Sequence, residues 1–200
     1  MIYNFTFWIG SVIFHIFITN LVYKKGLSIG LEKQKPLYDI IQQNCINLRR
    51  WRILPEIFHF IPIMLLGCCW LYNLFENIQI SNDALEIFFS KHGTLFYLRP
   101  LLFSSTLLPD SSQNCIQNRS LGSCFDLIFS GHASIMYLCT YILRDIFKIG
   151  ALLYYTLQFN NIFTSFLIII CRNHYTVDVL LAIIITHFVY FYGSEFKILF

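Results

Sequence analysis

Two short motifs contain residues that can carry out acid–base or nucleophilic chemistry. SGHAS, residues 130–134, places His132 beside a hydroxyl and a glycine. NHYTVD, residues 173–178, contains His174 and, four residues later, Asp178. Residues four apart lie on one face of a helix, so this spacing predicts that the carboxylate holds one ring nitrogen of His174. The other nitrogen is then free and more basic.

A second group of residues could bind the anion on which such imidazoles act. Ser130 and Gly131 stand at or near a predicted helix start, where backbone N–H groups and the positive end of the helix dipole favour phosphate. Arg99 and Arg172 could add positive charge to the same anion. These residue types together indicate a binding site for an anion such as phosphate beside the two histidines.

The composition predicts that a membrane bundle positions these residues. Of the 200 residues, 56% are hydrophobic and 12% are charged, with a mean hydropathy of +0.61, which excludes an ordinary soluble domain. Uncharged runs, two with one interrupting charge, have the roughly 17 to 23 residues that cross about 30 Å of hydrocarbon. We therefore expect an all-α integral membrane protein, a six-transmembrane helical bundle forming one domain over residues 1–200. The predicted spans are 2–23, 57–75, 92–109, 127–143, 149–171 and 174–193.

If the spans alternate in direction, most of the charged groups at the apolar segments collect near one face of the membrane. This set is Glu56, Arg99, Asp126, His132, Arg172, His174 and Asp178. Each member alone has an ordinary structural explanation, since a His–Asp pair is common on helix surfaces and an intramembrane Arg can extend to the interface. Two histidine motifs on the same side favour a site. The other histidines are interpreted as structural: His15, His59, His92 and His187.

The cysteines and the net charge exclude other classes. Seven cysteines occur without a C-x-x-C pair, so a thiolate metal site is not expected. Cys115 and Cys124 share a loop, and we hypothesise a disulfide between them if that loop faces an oxidising lumen. A net charge of +3, mostly from one segment, gives no indication of a nucleic-acid partner.

Four segments resemble motifs of the sphingomyelin synthase family, within the wider group of type 2 phosphatidic acid phosphatases. CFDLIFSGHAS, residues 124–134, and HYTVDV, residues 174–179, resemble the last two motifs, C-G-D-x-x-x-S-G-H-T and H-Y-T-x-D-V. KPLYD, residues 35–39, and YLRPLLFSSTLLP, residues 97–109, resemble two earlier ones. The resemblance runs from about residue 36 to residue 193.

The resemblance implies that a phosphocholine or phosphoethanolamine head group, with phosphoinositol as the less favoured alternative, is transferred from a glycerophospholipid to ceramide in sphingolipid synthesis. Diacylglycerol as the acceptor is left open. His174, oriented by Asp178, would form a phosphohistidine-type intermediate, and His132 would act as general acid and then as general base. No metal or cofactor is expected, because the two imidazoles supply both the nucleophile and the proton transfer. Membrane lipids are the expected partners, and a homo-oligomer is left open. The implied substrate-binding set is Arg99, Ser130, Gly131, Asp126, Glu56, Arg172 and Tyr175, with Glu56 and Asp126 either holding an amine head group or supporting a histidine.

Departures from the motifs leave His132, His174 and Asp178 in place but leave substrate choice open. Phe125 replaces a glycine, Ala133 a threonine and Tyr38 a proline of the family pattern. The wider phosphatase motifs match less well. Two alternatives are a lipid phosphatase of the same fold, with water as acceptor, and a non-catalytic lipid-binding or scrambling protein.

The orientation in the membrane has two interpretations. The family places its active site on the lumenal or exoplasmic face, in the Golgi, the endoplasmic reticulum or the plasma membrane. Nine Lys and Arg lie on the predicted active-site side against four on the other, and the positive-inside rule would turn that side to the cytosol. We favour the lumenal orientation, which a glycan at the NRS sequence, residues 118–120, would support.

Overall fold

In a computed structural model, which describes residues 1–109, 111, 125 and 127–193, the chain forms seven α-helices and, within those residues, no β-strand. Short 3-10 helices occur at Leu31–Lys33 and Arg49–Trp51. The α-helices are α1 (Ile2–Ser28), α2 (Ile40–Asn44), α3 (Ile53–Glu76), α4 (Ile78–Ser105), α5 (Gly131–Asp145), α6 (Ala151–Ile170) and α7 (Thr176–Tyr192).

Three helices, α1, α3 and α6, are long and apolar enough to cross a bilayer, and α7 is a shorter apolar helix. The described residues are thus all-helical, with three candidate membrane-spanning helices. All six predicted spans fall on helices, but α5 has 15 residues and α4 carries several charges. A 15-residue helix is about 22 Å long, less than the hydrocarbon thickness. The six-span topology therefore stays a prediction.

Two predicted spans start well away from their helices, because a capping side chain sets where each of these helices begins. Asn77 caps α4 by accepting from the Ile80 N–H, so this helix starts well before residue 92. Ser130 caps α5 by accepting from the Ala133 N–H, so this helix starts after residue 127. A hydrogen-bonding side chain at the N-cap satisfies backbone donors that a helix start leaves unpaired.

Helix α5 lies at the centre of the bundle. It packs against α3, α4, α6 and α7, whereas α1 packs mainly along α4. Residues 136–143 of α5 are all buried, and Thr140 accepts a 2.9 Å hydrogen bond from Asn161 of α6. Because its flanks are covered by protein, α5 positions its first turn against the starts of α3 and α7, where the candidate residues lie.

The turn between α6 and α7 differs from the sequence-based expectation. The 174–193 span treated His174 as helical, but α7 begins at Thr176 with Tyr175 as its N-cap. Arg172, at φ 60°, reverses the chain just after α6. His174 therefore belongs to the turn before α7, and it meets Asp178 through the geometry of a helix start rather than as a neighbour on a helix face.

Candidate functional site

His174 is fixed by two acceptors on one ring nitrogen. Its Nδ1 lies 3.0 Å from the backbone oxygen of Leu127 and 3.4 Å from Oδ2 of Asp178. A carbonyl oxygen can only accept, so Nδ1 carries a proton, and in the neutral ring the lone pair is then on Nε2. The His174 side chain is 8% exposed and that of Asp178 is fully buried. This arrangement orients the imidazole so that, in its neutral form, Nε2 can act as a nucleophile.

Asp178 also builds the start of the helix that follows it. Its Oδ2 accepts a 2.9 Å hydrogen bond from the Tyr175 N–H, and its backbone oxygen accepts a 3.1 Å bond from the Ser130 N–H. The first bond caps α7 and the second ties α7 to the start of α5. A single residue thus orients His174 and holds the two histidine motifs together.

His132, at the second position of α5, pairs with a carboxylate from a distant part of the sequence. Its Nε2 lies 3.1 Å from Oε2 of Glu56, and both side chains are about one-third exposed. The sequence suggested that Glu56 either holds an amine head group or supports a histidine, and this contact favours support. The rings of His132 and His174 are 6.4 Å apart between centroids. A phosphoryl group and its leaving oxygen could bridge that distance.

Arg99 lies beside the start of α5. Its Nε donates to the Phe129 backbone oxygen at 3.0 Å, and its Nη1 lies 3.0 Å from Nε2 of His15. A Cβ built on Gly131 would come within 3.5 Å of Nη1, an ordinary contact. Crowding by Arg99 therefore does not require a glycine at position 131. The Arg99 guanidinium adds positive charge at the start of α5, which Ser130 caps.

Two other predicted substrate-binding residues make structural contacts. Arg172 donates through Nη2 to the Gln42 backbone oxygen at 3.2 Å. The Tyr175 hydroxyl donates to the Pro109 backbone oxygen at 2.9 Å and accepts from the Leu37 N–H at 3.0 Å. These contacts fasten the turn that carries His174, and the substrate-binding roles of Arg172 and Tyr175 stay predictions.

Some sequence-based predictions cannot be compared with the structure. Asp126, the hypothesised Cys115–Cys124 disulfide and the glycosylation sequence at residues 118–120 lie outside the described residues.

Two histidines interpreted as structural lie at the site. Nδ1 of His59 is 3.8 Å from Oε2 of Glu56, and the rings of His59 and His132 are 4.8 Å apart. His15 contacts Arg99 as described above. The Glu56–His59 spacing of three residues, which places both on one helix face, was a signal available in the sequence. No comparable local signal links His15 to Arg99, 84 positions away.

Asp39, from the first of the four motifs, joins the α2 segment to α7. Its carboxylate caps α2 through the Ile41 and Gln42 N–H groups, and it accepts from the backbone N–H and hydroxyl of Thr176 at 2.6 and 2.8 Å. Burial raises the pKa of Asp39, but the hydrogen bonds from Thr176, Gln42 and Ile41 lower it more, to below its ordinary 3.8. The ionised carboxylate therefore stabilises the turn next to His174.

A comparison with known protein families gives one match, and it covers the segment that carries both histidines. Residues 123–195 match the family model described as PAP2 superfamily C-terminal. The matched segment includes both histidine motifs and Asp178, and this domain fits lipid phosphatase or phosphotransferase chemistry. No curated protein and no solved structure matches the chain. The match suggests a lipid phosphatase or phosphotransferase, and the apolar helices suggest a membrane protein.

Proposed function

We propose that the protein transfers a phospho-alcohol head group from a glycerophospholipid to a lipid alcohol, with ceramide as the favoured acceptor. The observation that carries this proposal is the pair of imidazoles 6.4 Å apart, each with its own carboxylate partner. One is buried and oriented for attack, and the other is partly exposed, where protons can exchange. The motif resemblance to sphingomyelin synthases supports head-group transfer in particular.

In the first step, Nε2 of His174 attacks the phosphorus of the donor lipid. The new P–N bond forms as the bond from phosphorus to the diacylglycerol oxygen breaks. His132, in its protonated form next to Glu56, donates its proton to the leaving oxygen. Diacylglycerol leaves, and the head-group phosphate stays on His174 as a phosphoramidate.

In the second step, neutral His132 removes the proton of the acceptor hydroxyl. The acceptor oxygen attacks phosphorus, the P–N bond breaks, and His174 regains its lone pair while His132 is again protonated. Arg99 and the backbone N–H groups at the start of α5 stabilise the negative charge on the phosphate oxygens during both steps. The same two imidazoles therefore complete the cycle.

An apolar groove beside the site supports a lipid substrate. It has a volume of about 330 Å³ and lies over the turn that carries His174. Tyr175 and Thr176 form part of its wall, and its remaining lining residues are Leu37, Tyr38, Asp39, Ile40, Leu108, Val177 and Leu180. Neither histidine lines the groove, but an acyl chain in it would lie beside Tyr175, the residue that follows His174.

The remaining parts of the proposal concern the membrane. We propose that α4, α5 and α7 complete a six-span bundle with α1, α3 and α6, and that the site faces the lumen of the Golgi or endoplasmic reticulum or the cell exterior. The starts of α3, α5 and α7 meet at the site, as alternating spans would require. A glycan at residues 118–120 would support this orientation.

Transfer can be tested with the purified chain in liposomes containing fluorescent short-chain ceramide. Phosphatidylcholine, phosphatidylethanolamine and phosphatidylinositol are supplied in separate reactions, beside a His174→Ala control. We expect one donor to give a fluorescent phospholipid that is absent with the control. Replacing ceramide with fluorescent diacylglycerol identifies the acceptor class.

A lipid phosphatase is the second candidate, because the PAP2 domain match fits hydrolysis as well as transfer. Water would then replace the lipid alcohol in the second step. Release of inorganic phosphate from phosphatidic acid, with no lipid product from any donor, would establish hydrolysis and contradict transfer. Inactivity in both assays would favour the non-catalytic alternative.

A further inference from the structure

We propose that Glu56, His59 and His132 bind a single divalent transition-metal ion such as Zn²⁺. Each residue can offer one ligand atom, and the three atoms lie within 4.8 Å of one another. Two ligands come from one face of α3 and the third comes from the start of α5. The site would bridge the two helices that carry it.

The observed separations fit a tetrahedral ion. Zinc binds nitrogen and carboxylate oxygen at about 2.0–2.2 Å, which in a tetrahedron places ligand atoms roughly 3.4 Å apart. Oε2 of Glu56 lies 3.1 Å from Nε2 of His132 and 3.8 Å from Nδ1 of His59. These two values lie on either side of the ideal, and all three ligand atoms lie within 4.8 Å of one another. Binding an ion would require the ligand atoms to draw closer and Nδ1 of His59 to leave the Pro55 backbone oxygen, which lies 3.3 Å away.

The donor set and its exposure suit a transition metal. Two imidazoles and one carboxylate are ligands that zinc prefers, whereas magnesium and calcium prefer oxygen atoms alone. His59 is largely buried, with a side chain 8% exposed, whereas Glu56 and His132 are about one-third exposed. An ion can therefore enter from the exposed side, and three protein ligands leave a fourth position for water or a phosphate oxygen.

The site has a consequence that rests on the proposed function. A metal bound to Nε2 of His132, in place of the hydrogen bond to Glu56, leaves a proton on Nδ1, so the ring can no longer act as a general base during transfer. The ion would therefore inhibit transfer rather than support it. This differs from a catalytic metal, which the two-imidazole mechanism does not require.

Binding can be measured without any turnover. The wild-type protein, on an affinity tag without histidines and with its thiols alkylated, is titrated with Zn²⁺ by calorimetry and with Co²⁺ by visible absorption. We expect one ion per chain and a tetrahedral Co²⁺ spectrum. Glu56→Gln and His59→Gln should each weaken binding at least tenfold, and the exposed His187→Gln serves as the matched control and should bind as the wild type does.

Thermal unfolding of each variant in detergent shows whether it is folded, and the two substitutions test the site independently. No saturable binding by the wild type, or equal affinity in all four proteins, would overturn the metal site. The inhibitory consequence is read separately in the liposome assay. There, Zn²⁺ should lower wild-type turnover and a chelator should restore it, and stimulation by Zn²⁺ would contradict inhibition.

Discussion

His174 and His132 lie in one site, but they are held in different ways. His174 is buried, and its Nδ1 contacts a carboxylate four residues away and a backbone oxygen. His132 is one-third exposed, and its partner Glu56 lies 76 positions away on another helix. The first arrangement fixes a ring in one orientation, as a nucleophile requires, whereas the second leaves access for protons and for a leaving group. Burial thus distinguishes the two proposed roles.

Removing the second imidazole should give the largest change after loss of the nucleophile itself. We expect His132→Ala to lower the transfer rate by about 10²–10⁴-fold, the usual contribution of a general acid or base. His187→Gln, at an exposed histidine in the second half of α7, is the matched control. Head-group transfer from the preferred donor is the measurement. Equal losses in both variants would show that His132 has no special role.

The carboxylate of the buried pair should matter next. Asp178→Asn removes the charge next to His174 but keeps an oxygen that can cap the Tyr175 N–H. Because the Leu127 oxygen still holds Nδ1, we expect a loss of about 10²-fold, of the size seen when one electrostatic contact is removed from an active site. Initial rates at saturating donor are the test. Rates within twofold of the wild type would contradict an orienting role for Asp178.

The carboxylate of the exposed pair should matter less. Glu56→Gln keeps a hydrogen-bond acceptor near His132 and loses a charge that solvent already screens. We expect a decrease of about tenfold or less in the same assay. A larger loss of transfer rate in Glu56→Gln than in Asp178→Asn would contradict the view that the buried pair is the more sensitive of the two.

Outside the histidine pairs, Asp39 should affect stability and its pH dependence. A carboxyl whose pKa is lower in the folded protein contributes stability above its unfolded pKa, and this contribution is lost as the pH falls through the folded value. Asp39→Asn should therefore lower the Tm by a few degrees at pH 7. The difference from wild type should shrink below about pH 4. Thermal unfolding in detergent across pH 3 to 7 measures both, and a difference independent of pH would contradict this account.

His174 has a partner close in sequence and His132 has a distant one, and this difference explains what could be predicted from sequence. The His174–Asp178 and Ser130–His132 spacings lie within single short segments, so they were visible, as were the apolar helices. The exact start of α7 at Thr176 could not be predicted from hydropathy, because a helix boundary depends on capping contacts. Contacts between helices, such as Glu56 with His132 and Asp39 with Thr176, depend on packing that one sequence does not encode locally. The sequence suggested Glu56 as a site residue, but it could not identify His132 as its partner.

The most direct test of the central claim is to look for the covalent intermediate. The wild-type protein is incubated with donor lipid labelled with ³²P in its phosphate, without acceptor, then quenched and separated from lipid. We expect label on the protein that is stable to base and labile to acid, as a phosphohistidine is. It should be absent with His174→Ala, and added acceptor should discharge it into lipid. Transfer activity without any labelled protein, or equal labelling of the His174→Ala variant, would contradict His174 as the nucleophile.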